Sequence, residues 1–137
     1  MSNDERGKQI YKDYLLSKGA TNIVIPVQRY NRFDLVYTLH NVRYVSEIKY
    51  RNCDSTKYSS VMLERVKLEG LLNSTDESIE YINIYHDNVI FKFDLRNIGK
   101  VRWYKRYLPI DEEKKVYKIK EVCYLPLDKA EKINLNF

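Results

Sequence analysis

Two β-forming runs separated by two polar residues limit what this chain can fold into more than any other feature. Phe33-Asp34-Leu35-Val36-Tyr37-Thr38-Leu39 comes first, then His40-Asn41, then Val42-Arg43-Tyr44-Val45-Ser46-Glu47-Ile48-Lys49-Tyr50. A two-residue polar break between such runs predicts a β-hairpin. Successive side chains of a strand point to opposite faces. Phe33, Leu35, Tyr37 and Leu39, with Val42, Tyr44, Ile48 and Tyr50, then form one apolar face that must be core. The other face carries Asp34, Val36, Thr38, Arg43, Val45, Glu47 and Lys49.

With His40-Asn41 as the turn, Leu39 faces Val42 and the same register sets Asp34 opposite Glu47. Directly opposed residues have Cβ atoms about 4.5–5.5 Å apart, and like charges there repel. Lys49 points to the same face as Glu47 and can lie beside both acids. Two carboxylates and a lysine so placed are a cradle for a hard divalent cation. Mg²⁺ takes oxygen ligands and keeps several waters. Such an ion can hold a scissile phosphate and acidify an attacking water, while the lysine steadies developing negative charge. A Glu-x-Lys alone carries little weight, since an exposed strand with alternating charges produces one. The preceding Asp and the register that opposes the acids give it meaning.

The surrounding pattern predicts a mixed α/β chain. Residues 3–18 read as a helix, with Asp4 and Glu5 at its N-terminus and Gly19 as its stop. Residues 22–27 read as a short strand, with Pro26 pointing to a sheet edge or a strand end. Thr56 to Leu72 reads as a second helix with Val61, Met62, Val66, Leu68 and Leu72 inward. Residues 79–85 and 89–93 read as a further hairpin about Asp87-Asn88. Strands near 100–107 and 115–124 follow, joined through Pro109 and Asp111-Glu112-Glu113, with a turn of helix near Leu127–Glu131. The expected order is α-β-β-β-α-β-β-β-β, a mixed sheet with two flanking helices.

Asp34, twelve intervening residues and then Glu47-Ile48-Lys49 resemble the PD-(D/E)xK nuclease superfamily, the restriction-endonuclease-like fold. The flanking order of helix, strand, hairpin, helix and strand is similar too. The resemblance covers about residues 3–93 and is closest in layout to archaeal Holliday-junction resolvases and small phage-type nucleases. It implies a Mg²⁺ (or Mn²⁺) site formed by Asp34, Glu47 and the Ile48 carbonyl, with Lys49 as the catalytic lysine. Phe33 stands where the pattern often has Pro. Many members also carry a Glu in the first helix, at a position that falls near Lys8 or Gln9 here. Glu5, or Asp4, is the candidate for that extra metal-site acid. Lys67, on one helical face with Glu64, is placed to touch substrate.

Charge points to a polyanionic partner. The net charge is +5, and residues 100–120 hold eight cations against three anions, a surplus equal to that of the whole chain. Trp103, Tyr104, Tyr107 and Tyr117 interleave them. Lys stems covering rings on a solvated strand pair give this pattern, and so does a nucleic-acid-facing surface. On the second reading Lys105, Arg106, Lys118 and Lys120 contact nucleic acid, and these C-terminal strands extend the sheet beside the substrate groove.

The sequence thus predicts a single nuclease-like domain over 1–137, with a core of about 3–93 and a C-terminal strand extension of about 99–137. Its expected work is metal-dependent endonucleolytic hydrolysis of DNA, on branched or phage- and recombination-related substrates. The alternative is a non-catalytic nucleic-acid-binding or protein-interaction module that kept the fold. Two cysteines, Cys53 and Cys123, read as free thiols of a reducing compartment. The polar start lacks a signal peptide's apolar core, and no apolar stretch is long enough to span a membrane. A cytoplasmic protein is expected, with a homodimer left open.

Overall fold

A computed structural model describes residues 1–27, 33–111 and 113–135. Its elements run α1 (Asn3–Ser17), β1 (Thr21–Val24), β2 (Leu35–Leu39), β3 (Val42–Arg51), β4 (Ser60–Glu64), α2 (Arg65–Ser74), β5 (Ser78–Tyr85), β6 (Val89–Asp94), β7 (Tyr104–Asp111), β8 (Val116–Pro126) and β9 (Glu131–Asn134). Short 3₁₀ turns occupy Leu95–Asn97 and Leu127–Lys129. The expected mixed α/β architecture with two helices and a mixed sheet is what the chain forms.

The main sheet has the order β1-β2-β3-β5-β6-β9, and only β3 and β5 run parallel in it. A parallel neighbour needs a crossover. Here β4 and α2 supply it between β3 and β5. The β2–β3 hairpin pairs Leu39 with Val42 and Leu35 with Ser46, the register the sequence dictates. His40 and Asn41 both have positive φ, 50° and 62°, as a two-residue turn matching strand twist requires.

Both faces of the main sheet are covered. On one, α1 packs through Tyr11 and Leu15 against Leu35, Tyr37, Ile48, Ile82 and Ile84. Helix and sheet approach closely at Gly7, where a Cβ would stand 3.2 Å from Ile48 Cγ2. On the other face, α2 and a second sheet of order β4-β8-β7 pack over Val36, Val45, Ile79, Tyr81 and Phe93.

Four expectations need correction. The segment from Thr56 to Leu72 is not one helix: β4 takes Ser60–Glu64 and α2 begins at Arg65. Val61 and Leu63 alternate inward and pair with Leu125 and Cys123. That long-range pairing overrides a helical pattern, and Val66 ends 82% exposed. The strands β7 and β8 do not extend the main sheet; with β4 they form the second sheet, while β9 adds the extra edge. Phe33 packs with the Val36 side rather than with Leu35, because regular strand begins only at Leu35. Val42, beside the turn, is exposed rather than core.

A buried acid unites the α1 face. Glu80 Oε1 accepts hydrogen bonds from the hydroxyls of Tyr11 (2.7 Å), Tyr37 (2.7 Å) and Ser46 (3.0 Å). Lys92 Nζ stands 3.4 Å from Oε2 and also pairs with Glu131 of β9. Burial, with the Glu80 charge next, pushes both phenol pKa values up and keeps them donors. Five elements meet at this one carboxylate. Glu80→Ala should therefore cost roughly 3–5 kcal/mol, since it strands hydroxyls and a lysine. Tyr11→Phe, which leaves two donors in place, should cost only about 1 kcal/mol. Urea unfolding midpoints measure both, and equal losses would contradict this ranking.

Candidate active site

The second acidic cluster lies on the opposite face of the same strands. Asp34 stands one residue before β2, its N–H donating to the Ser46 carbonyl at 2.9 Å. The paired register ends at Leu35 and Ser46; Asp34 lies just outside it, with its carboxylate near that of Glu47. Asp34 Oδ2 accepts from the Ile48 N–H at 2.7 Å, so the backbone between Glu47 and Lys49 holds the aspartate in place. Asp34 Oδ1 lies 3.8 Å from Lys8 Nζ of α1.

Glu47 is 3% exposed and faces Lys67 Nζ of α2 at 2.9 Å. Burial and then the Asp34 charge push its carboxyl pKa up; Lys67 and Lys49 partly offset this. Burial pulls the Lys67 pKa down, but the Glu47 charge and hydrogen bond prevail and leave it raised. The acids are close enough to repel, and three lysines on two helices and β3 surround them.

The floor of the site continues along β3 and β5. Lys49 pairs in register with Asn83, and Arg51, on the same face two residues on, donates to Asn83 Oδ1 and to the Tyr81 hydroxyl, both at 3.0 Å. Tyr81 in turn donates to the Met62 carbonyl of β4, which ties the two sheets together. Burial pushes its phenol up to about 12. Asn83 is fully buried, and its Nδ2 has no hydrogen-bond partner among the described residues.

The structure thus brings Asp34, Glu47, the Ile48 backbone, Lys49 and Lys67 together. It does not bring Glu5 to them. That carboxylate closes a capping box with Ser2 at the start of α1, and Lys8, one turn further on, meets Asp34 instead. No group of three or more His, Cys, Asp or Glu residues that could hold a metal ion occurs among the described residues. The donors for a divalent cation are accordingly two carboxylates and the strand carbonyl between them. Their chemistry fits Mg²⁺, since an all-oxygen set with repelling charges is what such an ion relieves.

Lys105, Arg106, Lys118 and Lys120 lie on the β7–β8 ribbon, which the sequence placed in one patch. Its register separates them: Arg106 faces Lys120, and Lys118 shares their side, whereas Lys105 faces Glu121 on the other. Lys120 also pairs with Glu64 at 2.7 Å. A groove of about 860 Å³ between α2 and β8 is lined by four cations, Arg65, Lys67, Lys118 and Lys120, and by three anions, Glu64, Glu69 and Glu121. Lys67 therefore joins the acid pair to the ribbon. Sequence reasoning missed Arg51, Asn83 and Tyr81; the signal was their period-two spacing from Glu47 and from one another along β3 and β5.

No protein-family model matches the chain, and no curated protein matches it significantly. Among solved structures it is similar to Hjc of Archaeoglobus fulgidus, described as a Holliday junction resolvase from an archaeal hyperthermophile. Identity is 12%, the alignment covers 84% of this chain and 86% of that one, and the TM-score is 0.46. A likeness of that size transfers no chemistry, which has to come from the residues themselves. No helix among the described residues is long and apolar enough to cross a membrane.

The raised Glu47 pKa fixes a sign for stability. Between the unfolded and folded pKa values the native state binds more protons, so this group's contribution falls as pH rises. Above the folded pKa, the buried charge destabilises in full. In EDTA, Glu47→Gln should melt at or above the wild-type temperature at neutral pH, and the difference should vanish below about pH 4, near the unfolded carboxylate value. A variant that melts clearly lower at neutral pH would show that the Lys67 ion pair outweighs desolvation.

Proposed function

We propose that this chain is a divalent-metal-dependent nuclease that hydrolyses DNA phosphodiester bonds at the Asp34–Glu47–Lys49 cluster. The observation that carries this reading is the mutually repelling acid pair, with Glu47 buried, offset by lysines and joined through Lys67 to a groove lined by both cations and anions. Folding alone favours neither burial nor repulsion, and such groups concentrate at functional sites.

Asp34, Glu47 and the Ile48 carbonyl would hold the cation, which supplies electrostatic pull on the phosphate and acidifies water. The Ile48 N–H fixes one Asp34 oxygen and leaves the other to coordinate. Lys49 carries no lone pair when charged and acts on substrate: it neutralises charge gathering on the phosphoryl oxygens and orients the water. Lys67 shields Glu47 in the free protein and lies on the groove, so it passes to the DNA backbone as substrate enters. Lys105, Arg106, Lys118 and Lys120 contribute sequence-independent phosphate contacts.

One observation favours a second reading, a nucleic-acid-binding module without catalysis. Each acid already has a lysine, Lys8 for Asp34 and Lys67 for Glu47. On that reading the lysines are permanent partners and metal never enters.

Labelled duplex, flap, junction and single-stranded DNA incubated with Mg²⁺ or Mn²⁺ separate the two. Wild type should cleave at least one of them and stop in EDTA. Asp34→Ala and Glu47→Gln should abolish cleavage, and Lys49→Ala should slow it by roughly 10²–10³-fold. No cleavage of any substrate, or cleavage that persists in EDTA, contradicts the proposal. Neutralising Lys105, Arg106, Lys118 and Lys120 together should weaken binding to all sequences alike. The slope of log affinity against log salt should also flatten, by roughly 0.9 for each duplex phosphate the variant no longer neutralises. An unchanged slope would place the substrate elsewhere.

A further inference from the structure

The ribbon formed by β7 and β8 has a feature that phosphate binding does not use. β4 pairs with β8 only from Val122 to Pro126, so residues 116–121 have β7 as their one strand partner among the described residues. An isolated two-stranded hairpin is at best marginally stable in water. This one nevertheless turns apolar side chains to solvent. Tyr107 is 69% exposed, Ile119 63% and Tyr117 43%. By register they share one face, with Tyr107 paired to Ile119. The two tyrosine rings stack with centroids 5.3 Å apart and planes 17° off parallel. That same face of β8 carries Glu121, which Arg65 of α2 binds at 3.1 Å. Ile119 and Glu121 line the groove that also holds Lys67, and Lys67 contacts Glu47. The stacked rings therefore sit further out along the ribbon whose strand β8 borders this groove.

We propose that Tyr107, Tyr117 and Ile119 form a stacking platform for unpaired bases of a nucleic-acid strand that runs along this groove. The proposal deepens the nuclease reading and rests on it for the direction of the strand. Charge selects the occupant. The segment 100–120 carries the whole positive excess of the chain, and a second copy of the ribbon would meet its own charge. Its outer edge, β7, presents Lys105, Arg106 and Pro109, residues that discourage strand addition. A nucleic-acid strand satisfies both features: bases meet the rings, and phosphates meet Lys105 on the same face, with Arg106, Lys118 and Lys120 on the other side of the ribbon. Duplex bases are already stacked inside the helix, so the platform takes only bases that are unpaired. Base–aromatic stacking tolerates any sequence, and the surface offers DNA and RNA the same two chemistries.

Fluorescence anisotropy in EDTA tests this without any cleavage. Labelled oligothymidine, oligouridine and a blunt duplex of equal length serve as probes. Tyr107→Ala combined with Tyr117→Ala should weaken single-strand binding roughly tenfold or more and leave duplex binding unchanged. Tyr107→Phe combined with Tyr117→Phe should bind as wild type. Equal loss for duplex and single strand, or no loss for either, overturns the proposal. So does a wild-type dimer that sedimentation shows to dissociate in the alanine variant, which would assign the patch to a second copy. Photocrosslinking of wild type to 5-iodouracil-substituted strands, mapped to peptides, gives a readout independent of variant folding. Crosslinks at Tyr107 or Tyr117 support the platform, and crosslinks confined to other residues overturn it. Comparison of the thymidine and uridine probes tells DNA from RNA. The binding assay runs in EDTA and needs no cleavage, so a failed cleavage assay overturns the nuclease reading alone.

Discussion

The turn at His40-Asn41 governs both polar clusters of this molecule. Two consecutive residues at positive φ give the hairpin a twist that only one register satisfies. That register sends Leu35, Tyr37 and Ser46 to the α1 face, where Tyr37 and Ser46 reach Glu80. It sends Val45 and Glu47 to the other face and brings Asp34 up beside Glu47. A slip of one residue would exchange the two sets and bury the wrong side chains on each face. The acid pair and the core are thus fixed by the same local geometry.

Two buried carboxylates in neighbouring strands show how differently a fold can treat one functional group. Glu80 has three hydroxyl donors on one oxygen, while Lys92 stands 3.4 Å from the other, which has no hydrogen-bond partner among the described residues. It is an architectural charge that unites α1, β2, β3, β5 and β6. Glu47 has one lysine partner and a facing aspartate, and its ionised form is disfavoured. Glu80 is tied to four other elements through its partners, whereas Glu47 meets one lysine and a like charge, and groups of the second kind concentrate at functional sites.

The hairpin and its register from Leu35 to Leu39 were legible in the sequence because they depend on neighbours a few residues apart. The strand β4 was not. Its apolar residues fit a helix equally well, and what makes it a strand is pairing with β8, some sixty positions later in the chain. The second sheet was hidden for the same reason. Lys8 was legible only as a position: the family resemblance implied a metal-site acid of the first helix near Lys8 or Gln9, but the chain has a base there, and it meets Asp34. Glu80 left a fainter trace, one acid within the apolar run Ile79 to Ile84. Such an acid signals a buried, partnered charge, yet its partners Tyr11, Tyr37 and Ser46 lie on three other elements and cannot be named before the fold is known.

The central claim is that Asp34 and Glu47 form one divalent-cation site. Titration of the protein with Mn²⁺, followed by electron paramagnetic resonance of the free ion, counts that site directly and needs no substrate. The account predicts saturable binding at one site per chain, lost in Asp34→Asn and in Glu47→Gln and competed by Mg²⁺. Binding that survives both substitutions, or no binding to the wild-type protein, would contradict it.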